Sequence, residues 1–333
     1  MRRALFLSAF GLIVAAALIV PLPVVAIEPG TAVPVPPRVN VAAPVQPVHG
    51  QLLLTTVRLA EPSAVRAVVD WLDRQADLVP RQAVIPPGVD EPEYFAAQER
   101  VFRESAQVAA AVGLREAGYP VEVSGGGVRI SAVIPGSPAA GKLREGDVVT
   151  AVDGRPVRVA SDLVEATSRA RAGDEVTVEV RRGDEIHRYA IRLARVSELG
   201  RPALGVALST LGFDVKLPFA VEVDQGRIGG PSAGLMLALT VYDLIDPLDL
   251  ARGRTIAGTG TIDVAGHVGA VGGVPQKVAA AKEAGAELFL VPAEEAKQAR
   301  EAAGKGLKVA SVETFDDAVA ALTAAPKTAS ASP

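Results

Sequence analysis

The chain has 333 residues, of which 49% are hydrophobic, so it predicts about two domains with real cores. The formal net charge is -4 with no long basic run, which argues against a nucleic-acid partner. The absence of cysteine excludes disulfides, thiolate metal sites and a cysteine nucleophile, and the three histidines make no metal-ligand pattern. We therefore expect no metal and no cofactor.

The N-terminus predicts a single transmembrane helix. Arg2 and Arg3 precede an uncharged apolar run, and the segment 1–27 is long enough for a span, which needs about 20 residues. The positive-inside rule keeps both arginines in the cytoplasm, so the domains that follow are expected outside the cytoplasmic membrane. The alternative is a signal peptide cleaved near Val24–Ala26. Residues 28–49 are rich in proline and predict an extended spacer between the bilayer and the globular part.

Residues 50–118 predict a strand at Gln51–Leu59 and two helices, at Glu61–Ala76 and Glu93–Ala117. The region carries no recognisable chemistry and is interpreted as scaffold. The pattern leaves open whether it forms part of the catalytic domain further along the chain.

Residues 119–195 predict a small β-rich domain of short strands separated by turns. The run GSPAAGKLREGDVVTAVDGRPV, with a helix and RAGDEVTVEVRRGDE after it, resembles a PDZ domain of the bacterial protease-associated kind. This resemblance implies binding of extended peptides or chain ends by strand addition. Gly126, Gly127 and Val128 are the candidate carboxylate-binding turn, whose N–H groups would form an anion nest. The alternative for this loop is a plain hairpin turn.

A P-loop-like spacing lies inside the same domain but does not predict nucleotide binding. The glycines and lysine of Gly136–Lys142 fit the spacing, yet Leu143 stands where Ser or Thr must bind magnesium. Pro138 also removes one backbone donor from the cradle. Any activity is therefore expected to be independent of ATP.

Residues 200–324 alternate strands and helices, which predicts an α/β domain. A glycine-rich turn delivers Ser232 to the start of an apolar helix, and a second one delivers Lys277 to another. Gly230–Gly234 also fits G-x-S-x-G, the nucleophile elbow of α/β-hydrolases. That interpretation fails because the fold needs a late histidine, whereas His267 follows Ser232 too closely.

Lysine can replace histidine as the base. A serine hydroxyl needs a neighbour that takes its proton, and a lysine can do so if its pKa falls toward neutrality. Apolar residues around Lys277 and the positive end of its helix would both lower that pKa. Free N–H groups at the helix start after Ser232 could stabilise an oxyanion.

The segments GGPSAGLMLALTVYDLI and GTGTIDVAGHVGAVGGVPQKVAAAKEAGAELFLVP resemble the proteolytic domain of the Lon family. The resemblance implies a Ser–Lys dyad of Ser232 and Lys277, with Thr259 holding the lysine. It also implies cleavage of unfolded polypeptides and a homo-oligomer, a hexamer in many members. The chain departs from the family pattern at Gly229 and Thr261, where acidic residues are frequent.

The sequence thus predicts an α/β (α+β) Lon-type proteolytic domain, a small β-rich PDZ domain and an N-terminal transmembrane helix, with a disordered tail at 325–333. The predicted function is that of an ATP-independent serine endopeptidase whose partners are polypeptide substrates and the membrane, with no nucleic acid. We expect Asp263, an acid near Lys277 in sequence, to point away from the amine. The alternative function is a catalytically silent membrane-anchored PDZ binding or scaffold protein.

Overall fold

A computed structural model describes residues 22–72, 76–81, 84–85, 90–168, 171, 173–195 and 202–324. The chain divides into two compact units. Unit 1 contains the described residues up to Tyr119 and those from Phe219 onward, and unit 2 runs from Pro120 to Pro218. The predicted tail at 325–333 and most of the predicted anchor lie outside the described residues.

The α-helices among the described residues are α1 (Ala64–Leu72), α2 (Glu91–Glu116), α3 (Ala160–Ser168), α4 (Gly234–Ile245), α5 (Val274–Glu283), α6 (Ala296–Ala303) and α7 (Phe315–Thr323). The strands before residue 200 are β1 (Val24–Pro34), β2 (Val39–Val41), β3 (Gln51–Ala60), β4 (Asp77–Pro80), β5 (Glu122–Ser124), β6 (Val128–Val133), β7 (Val148–Val152), β8 (Arg155–Pro156), β9 (Glu175–Arg182), β10 (Glu185–Arg192) and β11 (Ala194–Arg195). The later strands are β12 (Pro202–Ala203), β13 (Val206–Thr210), β14 (Asp214–Lys216), β15 (Val221–Val223), β16 (Thr255–Gly258), β17 (Thr261–Ile262), β18 (Val268–Gly269), β19 (Leu288–Pro292) and β20 (Lys308–Val312).

Unit 1 is built on a six-stranded sheet in the order β20-β19-β16-β3-β1-β4. Strands β3, β16, β19 and β20 run parallel, and β1 runs antiparallel to both of its neighbours. The parallel strands are mostly apolar and buried, as expected for a sheet covered by helices. The C-terminal half of unit 1 is therefore the α/β alternation that the sequence predicts.

Strand β1 corrects the prediction of an anchor to residue 27 and of a spacer from residue 28. Val24–Ile27 pairs with β4, and the strand pairs with β3 from Ala26 to Pro34, with a register shift between Pro29 and Ala32. Proline cannot donate a ladder hydrogen bond, and irregular ladders are where strands tolerate it. The Pro-rich composition predicted a solvated spacer, whereas the first half of this segment is part of the sheet.

Within the part of the chain that the structure describes, no helix is long and apolar enough to cross a membrane. The apolar run that predicts the transmembrane helix spans residues 4–27, and its part up to residue 21 lies before the first described residue.

Helices α2 and α4 pack closely against each other in the core of unit 1. A side chain at Gly113 of α2 would place its Cβ 2.6 Å from the carbonyl oxygen of Ala238 in α4. The absence of a side chain there lets the two backbones approach. Residues 50–118 therefore supply a strand and a core helix to the same compact unit as Ser232 and Lys277, which answers the question that the sequence left open.

The chain leaves and re-enters unit 1 at neighbouring points. The rings of Tyr119 and Phe219 meet edge to face with centroids 5.2 Å apart. Unit 2 is thus inserted between two positions that lie side by side in unit 1, so an insertion here does not interrupt the sheet.

Unit 2 is a small β unit around the sheet β10-β9-β7-β6-β13, with β8 pairing β7. Its core is formed by inward-facing apolar residues of these strands and by Leu163 of α3. Strand β13 pairs with β6, so residues 206–210, which the sequence assigned to the last domain, belong to this sheet. Among the described residues, the other edge of β13 is unpaired.

The loop before β6 does not form the predicted carboxylate-binding nest. The N–H of Gly126 donates to the Leu211 carbonyl at 2.7 Å, and that of Gly127 donates to the Arg158 carbonyl at 3.1 Å. Val128 is fully buried in the core. Since these donors are already used within the fold, the assignment of Gly126, Gly127 and Val128 to ligand binding is corrected.

Candidate active site

Ser232 lies in the turn that leads into α4. The helix begins at Gly234 and is capped by Ala233 without a side-chain hydrogen bond. The Ser232 hydroxyl is therefore not used as a cap. The backbone N–H groups of Ser232 and Ala233 have no hydrogen-bond partner among the described residues. They lie at the positive end of a helix that is buried almost throughout its length.

Helix α2 holds this turn in place. The Gly230 N–H donates to the Gln98 carbonyl at 2.9 Å, and the Ser105 hydroxyl donates to the Pro231 carbonyl at 3.2 Å. The sequence interpretation of α2 as plain scaffold missed this role. A polar serine at 105 on the buried face of an otherwise alanine-rich helix segment is the signal that could have indicated it.

Lys277 lies in the first turn of α5. The helix begins at Val274, directly after Gly273. Gly273 has a left-handed φ of 67°, a conformation that glycine adopts without steric cost and that turns the backbone into the helix. The Lys277 N–H closes this turn by donating to the Gly273 carbonyl at 3.0 Å. The lysine side chain is only 3% exposed, so its amine lies within the protein rather than in water.

Thr259 connects the two predicted catalytic residues. Its hydroxyl accepts a hydrogen bond from Lys277 Nζ at 3.1 Å and donates one to the Ser232 carbonyl at 3.1 Å. The Gly260 N–H also donates to the Ser232 carbonyl, at 3.0 Å. The two residues directly after β16 thus fix the serine turn and the lysine amine relative to each other. Among the described residues, no hydrogen bond joins the Ser232 hydroxyl directly to the amine.

Burial sets the electrostatics of Lys277. It lowers the pKa of the amine to about 8, because the charged form loses its hydration. The nearby carboxylate of Glu295, at the end of a 3-10 turn before α6, acts in the opposite direction and raises the pKa. Glu295 accepts the Val271 N–H, and its Oε2 is buried without a partner. The sequence interpretation did not identify Glu295.

Asp263 does not counteract the lowering of the Lys277 pKa. Its carboxylate accepts the N–H groups of Ala265 and His267 at 2.9 Å each, and it contacts His267 Nδ1 at 3.0 Å. The carboxylate thus makes its hydrogen bonds within its own turn and not with the amine of Lys277, as expected from the sequence.

At position 229, a Cβ would approach Gln98 Cβ to 3.0 Å, so glycine also suits the tight contact with α2.

Ser232 and Lys277 line one cavity of about 540 Å³. Its walls come from β1, β3 and the turn before Ser232, with Thr31, Thr56 and Gly229 among the lining residues. The cavity therefore places the hydroxyl, the amine and two strands of the sheet around one space, with room for several residues of an extended chain.

Comparison with known proteins gives two family matches. The family of the Lon protease (S16) C-terminal proteolytic domain matches residues 217–324, and the PDZ domain family matches residues 115–193. The first match contains Ser232, Thr259 and Lys277. The second falls largely within unit 2.

Among the individual relatives, two are Lon proteases. Lon protease 2 of Bacillus subtilis is 30% identical over 125 residues, which cover 38% of this chain and 21% of the relative. Lon protease of Citrifermentans bemidjiense is 37% identical over 93 residues, covering 26% of this chain and 12% of the relative. The chain thus spans about a fifth or less of the length of these relatives. A solved PDZ domain of an SdrC-like protein from Listeria monocytogenes is 28% identical and covers 25% of this chain and 86% of its own, with a TM-score of 0.24.

The fold and the matches together define the class of protein. A mixed α/β unit carries a Lon-type proteolytic domain, and a PDZ domain is inserted into that unit. The chain is thus similar to Lon-type serine peptidases over residues 217–324 and to PDZ domains over residues 115–193.

Proposed function

We propose that the chain is an ATP-independent endopeptidase with Ser232 as the nucleophile and Lys277 as the general base. One observation carries the proposal: a buried lysine with a pKa of about 8 shares a cavity with Ser232, and Thr259 bonds to both. A lysine of this kind is neutral often enough at physiological pH to accept a proton. A surface lysine with an ordinary pKa could not do so.

The reaction follows from the chemistry of the two groups. The Ser232 Oγ attacks the carbonyl carbon of the scissile peptide while its proton passes to Lys277 Nζ. The protonated amine then gives that proton to the nitrogen of the leaving chain, and the C–N bond breaks to leave an acyl-enzyme. Water, deprotonated by the same amine, attacks the ester carbonyl. The amine returns that proton to Ser232 Oγ as the C–O bond breaks, which releases the acid and regenerates the serine. Thr259, through its hydrogen bond, keeps the amine oriented during these steps.

The oxyanion of the tetrahedral intermediate needs donors that are free in the resting protein. The unpartnered N–H groups of Ser232 and Ala233 meet that requirement. They lie next to the nucleophile at a helix start, where the dipole also favours negative charge. These two groups are the proposed oxyanion hole.

The proposed substrates are unfolded or exposed polypeptides, and the PDZ domain is proposed to capture them. The nest predicted at Gly126 is not available for peptide binding. We therefore propose that the peptide binds at β13, whose outer edge is unpaired among the described residues. An extended peptide can add to such an edge by main-chain hydrogen bonds. The Ala160 N–H of α3 bonds to the Thr210 hydroxyl at 3.0 Å, which keeps the start of α3 beside the end of this strand.

We also propose that the apolar N-terminus anchors the chain in the cytoplasmic membrane with both domains outside, and that the chain forms a homo-oligomer. The support is the apolar run after Arg2 and Arg3 and the resemblance to the Lon family. Protease accessibility in intact cells tests the first part, and the native mass of the purified chain tests the second.

The experiment that tests the activity compares the full-length chain with Ser232→Ala and Lys277→Ala on reduced, alkylated α-casein without nucleotide. We expect only the unmodified chain to cleave and to react with a serine-directed fluorophosphonate probe. Lys282→Ala is the matched control, because Lys282 is exposed on the same helix.

Two outcomes would contradict the proposal. Equal cleavage by all variants would place the active site elsewhere. Absence of cleavage by every protein, with peptide binding retained, would favour the alternative of a catalytically silent PDZ binding protein.

A further inference from the structure

The walls of the cavity next to Ser232 carry an excess of positive charge. Its charged lining residues are Arg38, Arg227 and Lys277, and no carboxylate of the described residues lines it. Burial lowers the pKa of Lys277 to about 8, so this amine loses its charge as the pH rises above that value. The guanidinium groups, in contrast, stay charged at every physiological pH. Any polypeptide that enters the cavity therefore meets two permanent cations.

Arg38 is only partly neutralised by the protein. Its Nη1 donates to the Asp224 carboxylate at 3.2 Å and to the Asp224 carbonyl at 3.1 Å. The Asp224 side chain is 72% exposed, and pairs of this kind are screened by water. The same carboxylate accepts the Gly226 N–H at 3.1 Å. Asp224 therefore serves to hold the turn before Ser232, with the guanidinium of Arg38 lying against Gly226.

Arg227 has no ion-pair partner among the described residues, although it lines the cavity and lies five residues before Ser232 in the turn. A guanidinium presents five N–H donors in a planar fork that matches a carboxylate. An unpaired arginine beside a nucleophile, with no acid in the surrounding wall, is suited to bind a carboxylate supplied by the substrate.

We propose that the cavity is an acidic-residue subsite, in which Arg227, together with Arg38 in the same lining, binds an Asp or Glu side chain of the substrate close to the scissile bond. The inference rests on the proposed peptidase function and names its substrate class. The partner is a polypeptide segment with an internal acidic side chain.

The test begins with the full-length chain acting on reduced, alkylated α-casein, with the cleavage sites mapped by mass spectrometry. The best-cleaved segment that contains an acidic residue is then made as two peptides, with Glu or with Gln at that position. Both peptides are acetylated and amidated at their ends, so that only the side chain can supply a carboxylate. We expect the Glu peptide to be cleaved about tenfold faster, as the gain of a charge-assisted hydrogen bond implies. This ratio should fall at high salt.

Variants of Arg227 make the test specific. In Arg227→Gln, the cleavage rates of the Glu peptide and the Gln peptide should become nearly equal. Arg227→Glu should instead cleave a matched peptide with Lys at that position fastest. The charge reversal separates recognition from folding, since a misfolded variant gains no new substrate. Arg300→Gln, an exposed arginine on α6, removes the same charge outside the cavity and should keep the unmodified ratio.

The failures of the two proposals are distinguishable. Cleavage that depends on Ser232 but shows no preference for Glu would overturn the subsite and leave the peptidase intact. A preference that survives in Arg227→Gln and is not reversed in Arg227→Glu would also overturn the subsite. Absence of any Ser232-dependent cleavage would overturn the peptidase function and the subsite with it.

Discussion

The charged amine of Lys277 loses its hydration on folding. The shift of its pKa therefore makes the free energy of unfolding depend on pH. The amine is almost fully buried, so its pKa of about 8 lies well below its value in the unfolded chain. Between pH 8 and the unfolded pKa, the unfolded chain binds more protons than the folded one. Stability contributed by this site therefore rises with pH across that window, and below pH 8 the full penalty applies.

Lys277→Met should stabilise the folded chain at pH 7, because it removes this penalty while keeping most of the side-chain volume. The expected gain in the free energy of unfolding is at most about 3 kcal/mol, the value that the pKa shift sets. The gain should disappear above about pH 10.5, where the unfolded lysine is also neutral. Thermal unfolding at pH 7 and pH 10.5 measures it. Lys282→Met, on the exposed face of the same helix, should show no such pH dependence.

Glu295→Gln should shift the pH dependence of cleavage. The Glu295 carboxylate raises the pKa of Lys277, so its removal should lower that pKa and increase the fraction of neutral amine. The rise of the cleavage rate with pH should then begin at lower pH, with higher activity at pH 6–7 relative to the plateau. Glu294→Gln is the control, since Glu294 is the exposed neighbour. An unchanged midpoint of the pH–rate profile in Glu295→Gln would contradict the electrostatic role.

Helix α2 shows, at the scale of one element, how the core and the site are coupled. Its middle packs on α4 at Gly113, and its first half bonds to the turn of Ser232 through Gln98 and Ser105. Displacement of α2 should therefore change both stability and the position of the nucleophile.

Gly113→Ala should destabilise unit 1 by about 1–3 kcal/mol, the usual range for overpacking. The sign is opposite to the gain of about 1 kcal/mol that helix propensity alone would give. The reason is the backbone carbonyl of Ala238, which the new Cβ would approach to 2.6 Å. Thermal unfolding and the cleavage rate measure the two effects. Gln107→Ala, at an exposed position of the same helix, should leave both nearly unchanged, and a stabilised Gly113→Ala variant would show that the helices separate easily.

The whole molecule consists of an interrupted unit 1 and an inserted unit 2, each with its own core. In unit 2, the buried Asp147 binds Arg182 through both carboxylate oxygens, at 2.7 and 2.8 Å. Burial alone would raise the pKa of Asp147, but the Arg182 guanidinium and the Arg144 N–H outweigh it, so the net pKa is lowered. The charged pair therefore persists down to acidic pH, and its stabilising contribution is lost as pH falls through that lowered value.

Asp147→Asn should destabilise unit 2 and spare unit 1. The substitution removes the buried charge that binds the partly exposed Arg182 guanidinium, and breaking a hydrogen-bonded ion pair is among the costly single changes. Calorimetry should show the transition of unit 2 several degrees lower, while labelling of Ser232 by the fluorophosphonate probe is retained just above that transition, where unit 2 is unfolded and unit 1 is still folded. Asp184→Asn, in an exposed hairpin turn, is the control. Loss of labelling together with unit 2 would show that the units do not fold separately.

The sequence by itself determined the local elements of the site. Gly-Pro-Ser-Ala-Gly and Gly-Gly-Val-Pro-Gln-Lys predict turns that lead into helices. In the structure, α4 begins at the last glycine of the first run and α5 at the valine of the second. These patterns predict local structure because glycine and proline restrict the backbone of neighbouring residues, and because the spacing of apolar residues indicates a helix. The resemblance to the Lon family, which added Thr259, also depends on such contiguous segments.

Only the tertiary structure decided which distant segments complete the site. Strand β1 is part of the sheet although its prolines predicted a spacer. Its pairing with β3 depends on residues distant in the sequence, which the local composition cannot predict. Glu295 reaches Lys277, and Arg227 and Arg38 line one cavity, only because the sheet and its helices bring separate segments together. The nest predicted before β6 failed for the same reason, because the Gly126 and Gly127 donors find partners far along the chain.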